Sequence, residues 1–153
     1  MSKITLGTVQ FGIDYGINSE NGQVQPEEVR SILNYAHSQN IDLLDTAPAY
    51  GNSEKVLGVA NVQNFKVVTK TRHFNNAKIS NSDIGLLKKD FSCSLTDLRQ
   101  ESFYGVLVHN ASDLLKSGAE KLYDHLQELK QAEKIEKIGV SVYDYSQLQS
   151  ILD

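Results

Sequence analysis

The chain has 153 residues, of which 40% are hydrophobic, and this is enough for one globular domain with a real core. Its net charge of −4 is not the strongly basic balance that favours nucleic acids or anionic membranes, so neither partner is expected. Cys93 is the single cysteine, which excludes an intrachain disulfide and a cluster of thiolate ligands, and we predict no metal site.

The N-terminal segment gives no sign of targeting. It begins MSKITLGTVQFG and enters a strand-like pattern without the apolar region of a secretory signal. No stretch reaches the roughly 18 apolar residues of a membrane span. We therefore expect a cytoplasmic protein.

Five short runs rich in valine, isoleucine and leucine are typical of buried strands, and each leads into a helical pattern. The predicted strands are 4–8, 41–45, 66–71, 104–109 and 137–142. The first predicted helix begins near Pro26. Three more cover 52–60, 82–98 and 118–134, and the last runs from 145 to the end of the sequence. Because parallel neighbours need a crossover, this alternation indicates parallel βαβ units.

The spacing of the strands favours a closed barrel over an open sheet. The turn after the first strand reads GTVQFGIDYG and lacks the G-x-G-x-x-G of dinucleotide-binding open sheets. Strand starts lie about 33 residues apart, so eight units would need roughly 265 residues, close to the usual barrel length of about 250. We predict an α/β fold of the (β/α)8 TIM-barrel type, truncated to about five βα units, with 1–153 as one partial barrel domain. An open doubly wound sheet of five units remains the alternative.

On one face of four predicted strands, the last residue at the carboxyl end is polar. Side chains alternate along a strand, which places Asp45, Lys70, His109 and Ser141 inward at the carboxyl ends, where barrel enzymes keep their chemistry. Neighbouring strands lie about 4.8 Å apart, so Asp45 and Lys70 should pair. Tyr50 follows in the next loop, and a cation beside it would favour its phenolate form and suit it to act as a general acid.

Each of these residues also has an ordinary structural interpretation. Asp45 could cap a helix or a turn, Lys70 could extend along the surface from a strand end, and His109 could be a core histidine. Ser141 could simply fill space. We expect the remaining histidines on the surface and the single cysteine buried within a helix; these are His37, His73, His125 and Cys93.

The motifs LGTVQFG, DTAPAYGNSEKVLG, VVTKT, VLVHN and IGVSV, in this order at successive strand ends, resemble the aldo-keto reductases. The resemblance covers essentially the whole chain and implies a barrel enzyme that reduces aldehydes, ketones or sugars with NADP(H). On the matching positions, Tyr50 would donate the proton, Lys70 would assist it, Asp45 would hold Lys70, and His109 would orient the substrate carbonyl.

The same resemblance implies cofactor contacts at both ends of the chain. Gly7, Thr8 and Asp45 would lie against the nicotinamide ribose, and Ser141 would hydrogen-bond to the carboxamide. The family commonly has Ser-Asn after the fifth strand, where this sequence has Ser141-Val142.

The aromatic of the seventh strand and the basic loop near the eighth strand of that family have no counterpart in this sequence. A competing interpretation is therefore a non-catalytic barrel fragment or binding subunit that another chain completes. Open edges at the first and fifth strands would then allow self-association.

Overall fold

Five strands and six α-helices alternate along the computed structural model, which describes residues 4–16 and 22–152. The strands are β1 (Leu6–Gly7), β2 (Leu43–Asp45), β3 (Lys66–Lys70), β4 (Phe103–Val108) and β5 (Ile135–Val140). The helices are α1 (Val9–Gly12), α2 (Pro26–Ser38), α3 (Ser53–Ala60), α4 (Asn81–Leu98), α5 (Ala119–Gln131) and α6 (Tyr145–Leu152). A short 3-10 helix (Ala111–Leu115) lies between β4 and α5.

The five strands form one parallel sheet whose spatial order is the chain order. A doubly wound sheet would reverse its strand order at a switch point, and this sheet has no such reversal. The open-sheet alternative is therefore wrong, and the barrel-type α/β fold with about five units is confirmed.

All five predicted strands and all five predicted helices are present, with ends that shift by a few residues. Helix α1 and the 3-10 helix were not predicted, because elements of four and five residues are too short to show a helical period. Strand β1 is shorter than predicted, since it pairs with β2 only at Leu6 and Gly7.

The two faces of the sheet differ in burial as the alternation predicted. Leu44, Val67, Val106 and Val108 are at most 2% exposed and belong to the core beneath the helices. Leu43 on the opposite face is only half-buried. Full burial of such side chains contributes about 1.5–3 kcal/mol each, so the helix-covered face holds the sheet together and the other face is left for the site.

Helix α3, which begins just after Tyr50, packs closely on α4. A Cβ at Gly58 would lie 1.9 Å from the Asp97 carbonyl oxygen, so only glycine permits this approach. Glu54 of α3 is buried and accepts hydrogen bonds from Thr69 (2.7 Å) and Ser94 (2.8 Å). Burial raises the pKa of the Glu54 carboxyl, although both hydroxyl groups oppose that shift.

Two expectations for single side chains are wrong. Cys93 is exposed on α4, because the buried residues of this helix are Leu87, Ser94 and Leu98 and Cys93 lies outside that stripe. His125 is only 6% exposed and its Nδ1 lies 3.1 Å from a carboxylate oxygen of Glu128. Among the described residues, no helix combines the length and the apolar character of a membrane span.

Candidate active site

An ion pair joins the carboxyl ends of β2 and β3. The Lys70 ammonium donates to a carboxylate oxygen of Asp45 and to the Thr46 carbonyl oxygen at 3.1 Å. The Lys70 side chain is 5% exposed, whereas that of Asp45 is 30% exposed. The cation is thus held inside the protein, and the carboxylate is the end of the pair that faces solvent.

The backbone of Asp45 is fixed by a buried hydroxyl network. Both the backbone N–H and the hydroxyl of Thr8 donate to the Asp45 carbonyl oxygen, at 3.0 and 2.9 Å. The Ser53 hydroxyl lies 2.9 Å from the Thr8 carbonyl oxygen and 3.1 Å from the Thr8 hydroxyl. Both Thr8 and Ser53 are fully buried. Their bonds explain why the Asp45 carboxylate stays at this strand end.

Tyr50 lies in the loop between β2 and α3, held by two glycines. Gly51 adopts φ +60°, which favours glycine. A Cβ at Gly12 would lie 1.7 Å from the Tyr50 carbonyl oxygen, so α1 can pack against this loop only without a side chain there. The result is that the Tyr50 ring lies over Lys70, with 4.8 Å between the ring centroid and the ammonium nitrogen.

His109 follows β4 and completes the cluster. Its backbone N–H donates to the Thr71 hydroxyl at 3.1 Å, and its ring meets the Tyr50 ring edge-on, with centroids 6.0 Å apart at 85°. The residue is 6% exposed. Burial lowers the pKa of His109, and the neighbouring His73 and Lys70 lower it further, so the neutral imidazole is favoured at neutral pH.

His73 also belongs to this cluster, although the sequence suggested only a surface histidine. It is exposed, as expected, but its ring lies against that of His109 with centroids 4.2 Å apart and an interplanar angle of 36°. No spacing rule connects it to the strand ends, because it lies in the loop after β3. The structure thus brings the four predicted catalytic residues together and adds a fifth side chain.

Among the predicted cofactor residues, Asp45 ends β2 inside the sheet, and the others lie at its two edges. Gly7 ends β1 and is exposed, and no heavy atom comes within 4 Å of the position that a Cβ would take. Ser141 follows β5, is half-buried, and donates its backbone N–H to the Val108 carbonyl oxygen at 2.9 Å. Open space at Gly7 and a partly accessible hydroxyl at Ser141 fit an extended ligand across the mouth. The buried side chain of Thr8 fits a role in holding Asp45 better than contact with a ligand.

Metal chemistry has no support in the part of the chain that the structure describes. There, no group of three or more histidine, cysteine, aspartate or glutamate side chains could hold a metal ion.

Comparison with known proteins assigns the family. The model of the aldo/keto reductase family matches residues 3–153, and the chain belongs to this family, as the motifs predicted. Members of this family are oxidoreductases. No match to the sequence was found among curated proteins.

Solved structures of the same family have the same fold. An aldo-keto reductase from Pseudomonas aeruginosa is 29% identical, with a TM-score of 0.72 over 90% of this chain and 54% of its own. The glycerol dehydrogenase from Gluconobacter oxydans is 26% identical, with a TM-score of 0.66 over 99% of this chain and 48% of its own. An aldo/keto reductase from Klebsiella pneumoniae, in complex with NADP and acetate, is 20% identical, with a TM-score of 0.68 over 97% of this chain and 48% of its own. The chain thus spans about half the length of these structures.

Proposed function

We propose that the protein is an NADP(H)-dependent oxidoreductase that reduces the carbonyl group of a small aldehyde, ketone or sugar, with Tyr50 as the proton donor. The observation that carries this proposal is the position of Lys70, which contacts the Asp45 carboxylate and lies 4.8 Å from the centroid of the Tyr50 ring. Membership of the aldo/keto reductase family supports the reaction class. A cytoplasmic location remains part of the proposal.

Lys70 stabilises the charge that develops on Tyr50 as its proton leaves. At about 5 Å a unit charge contributes roughly 3 kcal/mol at an effective dielectric near 20, and less than about 1 kcal/mol in bulk water. The Lys70 side chain is 5% exposed and Tyr50 is half-buried, so the contribution lies between these two figures. Asp45 keeps the ammonium in place and offsets its charge within the protein, which prevents Lys70 from turning to solvent.

His109 orients the substrate carbonyl. A neutral imidazole has one N–H, and Nδ1 of His109 is buried without a hydrogen-bond partner among the described residues. A buried donor without an acceptor is costly, so we assign the proton to Nε2. That N–H can donate to a carbonyl oxygen held next to Tyr50. The two side chains would then bind the same oxygen, one to orient it and the other to protonate it.

The cofactor would lie across the mouth between the two edge strands. Gly7 leaves room for it at β1, Asp45 lies beside its ribose, and Ser141 offers a hydroxyl at β5. The bound nicotinamide would supply the hydride to the carbonyl carbon. A family member of the same fold from Klebsiella pneumoniae holds NADP, which motivates NADP(H) as the first cofactor to test.

A non-catalytic binding module remains the competing proposal. In the described ranges β1 and β5 each pair on one side only, so their outer edges could pair with another chain, including a second copy. Size-exclusion chromatography tests this point, and a stable monomer at high concentration would contradict association through these edges.

The test of the enzyme proposal is NADPH binding followed by turnover. Protein fluorescence is titrated with NADPH, and NADPH oxidation is then followed with a panel of small aldehydes, ketones and sugars. Tyr50→Phe should lower kcat by about 10² to 10⁴-fold, the range for loss of a general acid, and keep cofactor binding. Tyr35→Phe is the matched control, because Tyr35 is 70% exposed on α2. No quenching at millimolar NADPH would favour the binding module, and full activity of Tyr50→Phe would refute the proton donor.

A further inference from the structure

We propose that His73 is a positioning residue that holds the ring of His109 in the orientation needed to meet the substrate carbonyl, and that a clamp of Asp113, in the 3-10 helix, and Lys116, directly after it, keeps His73 in place. The catalytic part of this inference rests on the proposed function. The structural part concerns His109 alone and can be measured without cofactor or substrate.

The ring of His109 is enclosed by two aromatic neighbours. His73 lies against it with centroids 4.2 Å apart at 36°, and Tyr50 meets it edge-on with centroids 6.0 Å apart at 85°. The contact with Tyr50 has the edge-to-face geometry that aromatic pairs favour, and the contact with His73 is tilted and close. Together they restrict rotation of the His109 ring, which in this part of the chain has no hydrogen bond at Nδ1 to fix it.

The residue after His73 is tied to the segment that follows His109. The Phe74 N–H donates to a carboxylate oxygen of Asp113 at 3.4 Å, and the Phe74 carbonyl oxygen accepts from the Lys116 ammonium. Asp113 and Lys116 form an ion pair at 2.7 Å, and Asp113 is fully buried. Because both polar groups of the Phe74 backbone are hydrogen-bonded, movement of the loop that carries His73 is restricted.

The charges around His109 also make His73 relevant to its protonation. The titratable groups that face it are His73, Lys70, Asp45 and Tyr50. His73 and Lys70 both lower the pKa of His109 after burial, and Asp45 acts in the opposite direction. A positive charge on His73 therefore opposes protonation of the neutral His109 ring. The neutral form, whose single N–H we assign to Nε2, persists to more acidic pH than it would without this neighbour.

The experiment uses the imidazole NMR signals of the free protein, which has four histidines and a mass of 17.0 kDa. The pH titration and ring tautomer of His109 are compared in wild type, His73→Phe and His73→Ala. Phenylalanine keeps a stacking ring and removes the charge, and alanine removes both. We expect the pKa of His109 to rise in both variants, and the Nε2–H tautomer to give way to a mixture only in the alanine variant. His37→Ala is the control, because His37 packs on Phe65 instead.

Turnover supplies a separate readout at a pH where both histidines are neutral. His73→Ala should lower kcat by about two- to tenfold, the range that an aromatic pair of this kind is worth, and His73→Phe should retain most of it. Identical His109 titration curves and tautomers in wild type and His73→Ala would overturn the inference, whatever the activity. Absence of turnover in wild type, with the NMR differences present, would instead count against the proposed function alone.

Discussion

The two partners of the Asp45–Lys70 ion pair differ in burial. We therefore expect the loss of folding stability to depend on which partner is removed. Asp45→Asn leaves a cation whose side chain is 5% exposed, with the Thr46 carbonyl oxygen at 3.1 Å as a remaining partner. Lys70→Met leaves a carboxylate that is 30% exposed and can bind water. We therefore expect Asp45→Asn to destabilise the fold more than Lys70→Met does.

The burial of each side chain sets the size of the difference. Removal of one partner from a buried pair costs about 3–5 kcal/mol, and exposed pairs are worth about 0.2–1 kcal/mol. Lys70 left without a carboxylate belongs near the lower end of the first range, at about 3 kcal/mol, because the Thr46 carbonyl oxygen and the amide oxygen of the introduced asparagine can still accept from it. The stranded Asp45 falls between the two ranges, at about 1–2 kcal/mol.

The free energy of unfolding, measured in urea by circular dichroism for both variants and for the double variant, checks this prediction. In the double variant no unpaired charge remains, so it should be more stable than Asp45→Asn. Glu120→Gln is a control, since its partner Lys121 and Glu120 itself both lie at the surface. A cost for Lys70→Met that equals or exceeds that of Asp45→Asn would refute the reasoning from burial.

Three further predictions concern the packing that supports the site. The pKa of the Glu54 carboxyl is raised in the folded state, so the free energy of unfolding should fall as the pH rises from the ordinary carboxyl pKa through the raised one. Glu54→Gln should flatten this pH dependence. An unchanged slope would contradict this. Gly58→Ala should cost about 1–3 kcal/mol because its Cβ would lie 1.9 Å from a carbonyl oxygen of α4, whereas Gly85→Ala, with nothing within 4 Å, should gain about 0.5–1 kcal/mol in the same urea assay. Equal changes in unfolding free energy for Gly58→Ala and Gly85→Ala would refute the close approach at Gly58. Gly12→Ala should lower both the melting temperature and kcat, since its Cβ would overlap the Tyr50 backbone at 1.7 Å, and wild-type values of both would exclude that overlap.

The period of the strands was sufficient to predict the fold and the proximity of three polar side chains at the strand ends. Alternation along each strand placed Asp45, Lys70 and His109 on one face, and parallel strands end at a common edge, so their proximity followed without any knowledge of the loops. The same alternation identified the helix-covered face, where Leu44 and Val67 are buried.

The sequence could not place the residues whose positions depend on distant contacts. His73 lies in a loop without periodicity, and the clamp on Phe74 comes from residues that are 39 and 42 positions away. The family resemblance implied that Thr8 lies against the nicotinamide ribose. In the structure β1 ends at Gly7, and Thr8 turns into the protein to bond with Asp45. No local sequence pattern predicts the position of His73 or the inward orientation of Thr8.

Under the proposed function, the residues for proton transfer and most of the cofactor contacts come from different parts of the sheet. Asp45, Lys70 and His109 come from β2, β3 and the end of β4, each of which has a paired strand on both sides. Gly7 and Ser141 come from the edges, where β1 and β5 pair on one side only in the described residues. The geometry around Tyr50 is thus fixed by contacts within the first four units. Under the proposed function, cofactor contacts at Gly7 and Ser141 would depend on how the two edge strands are held. NADPH affinity could then be lost while the cluster around Lys70 stays intact.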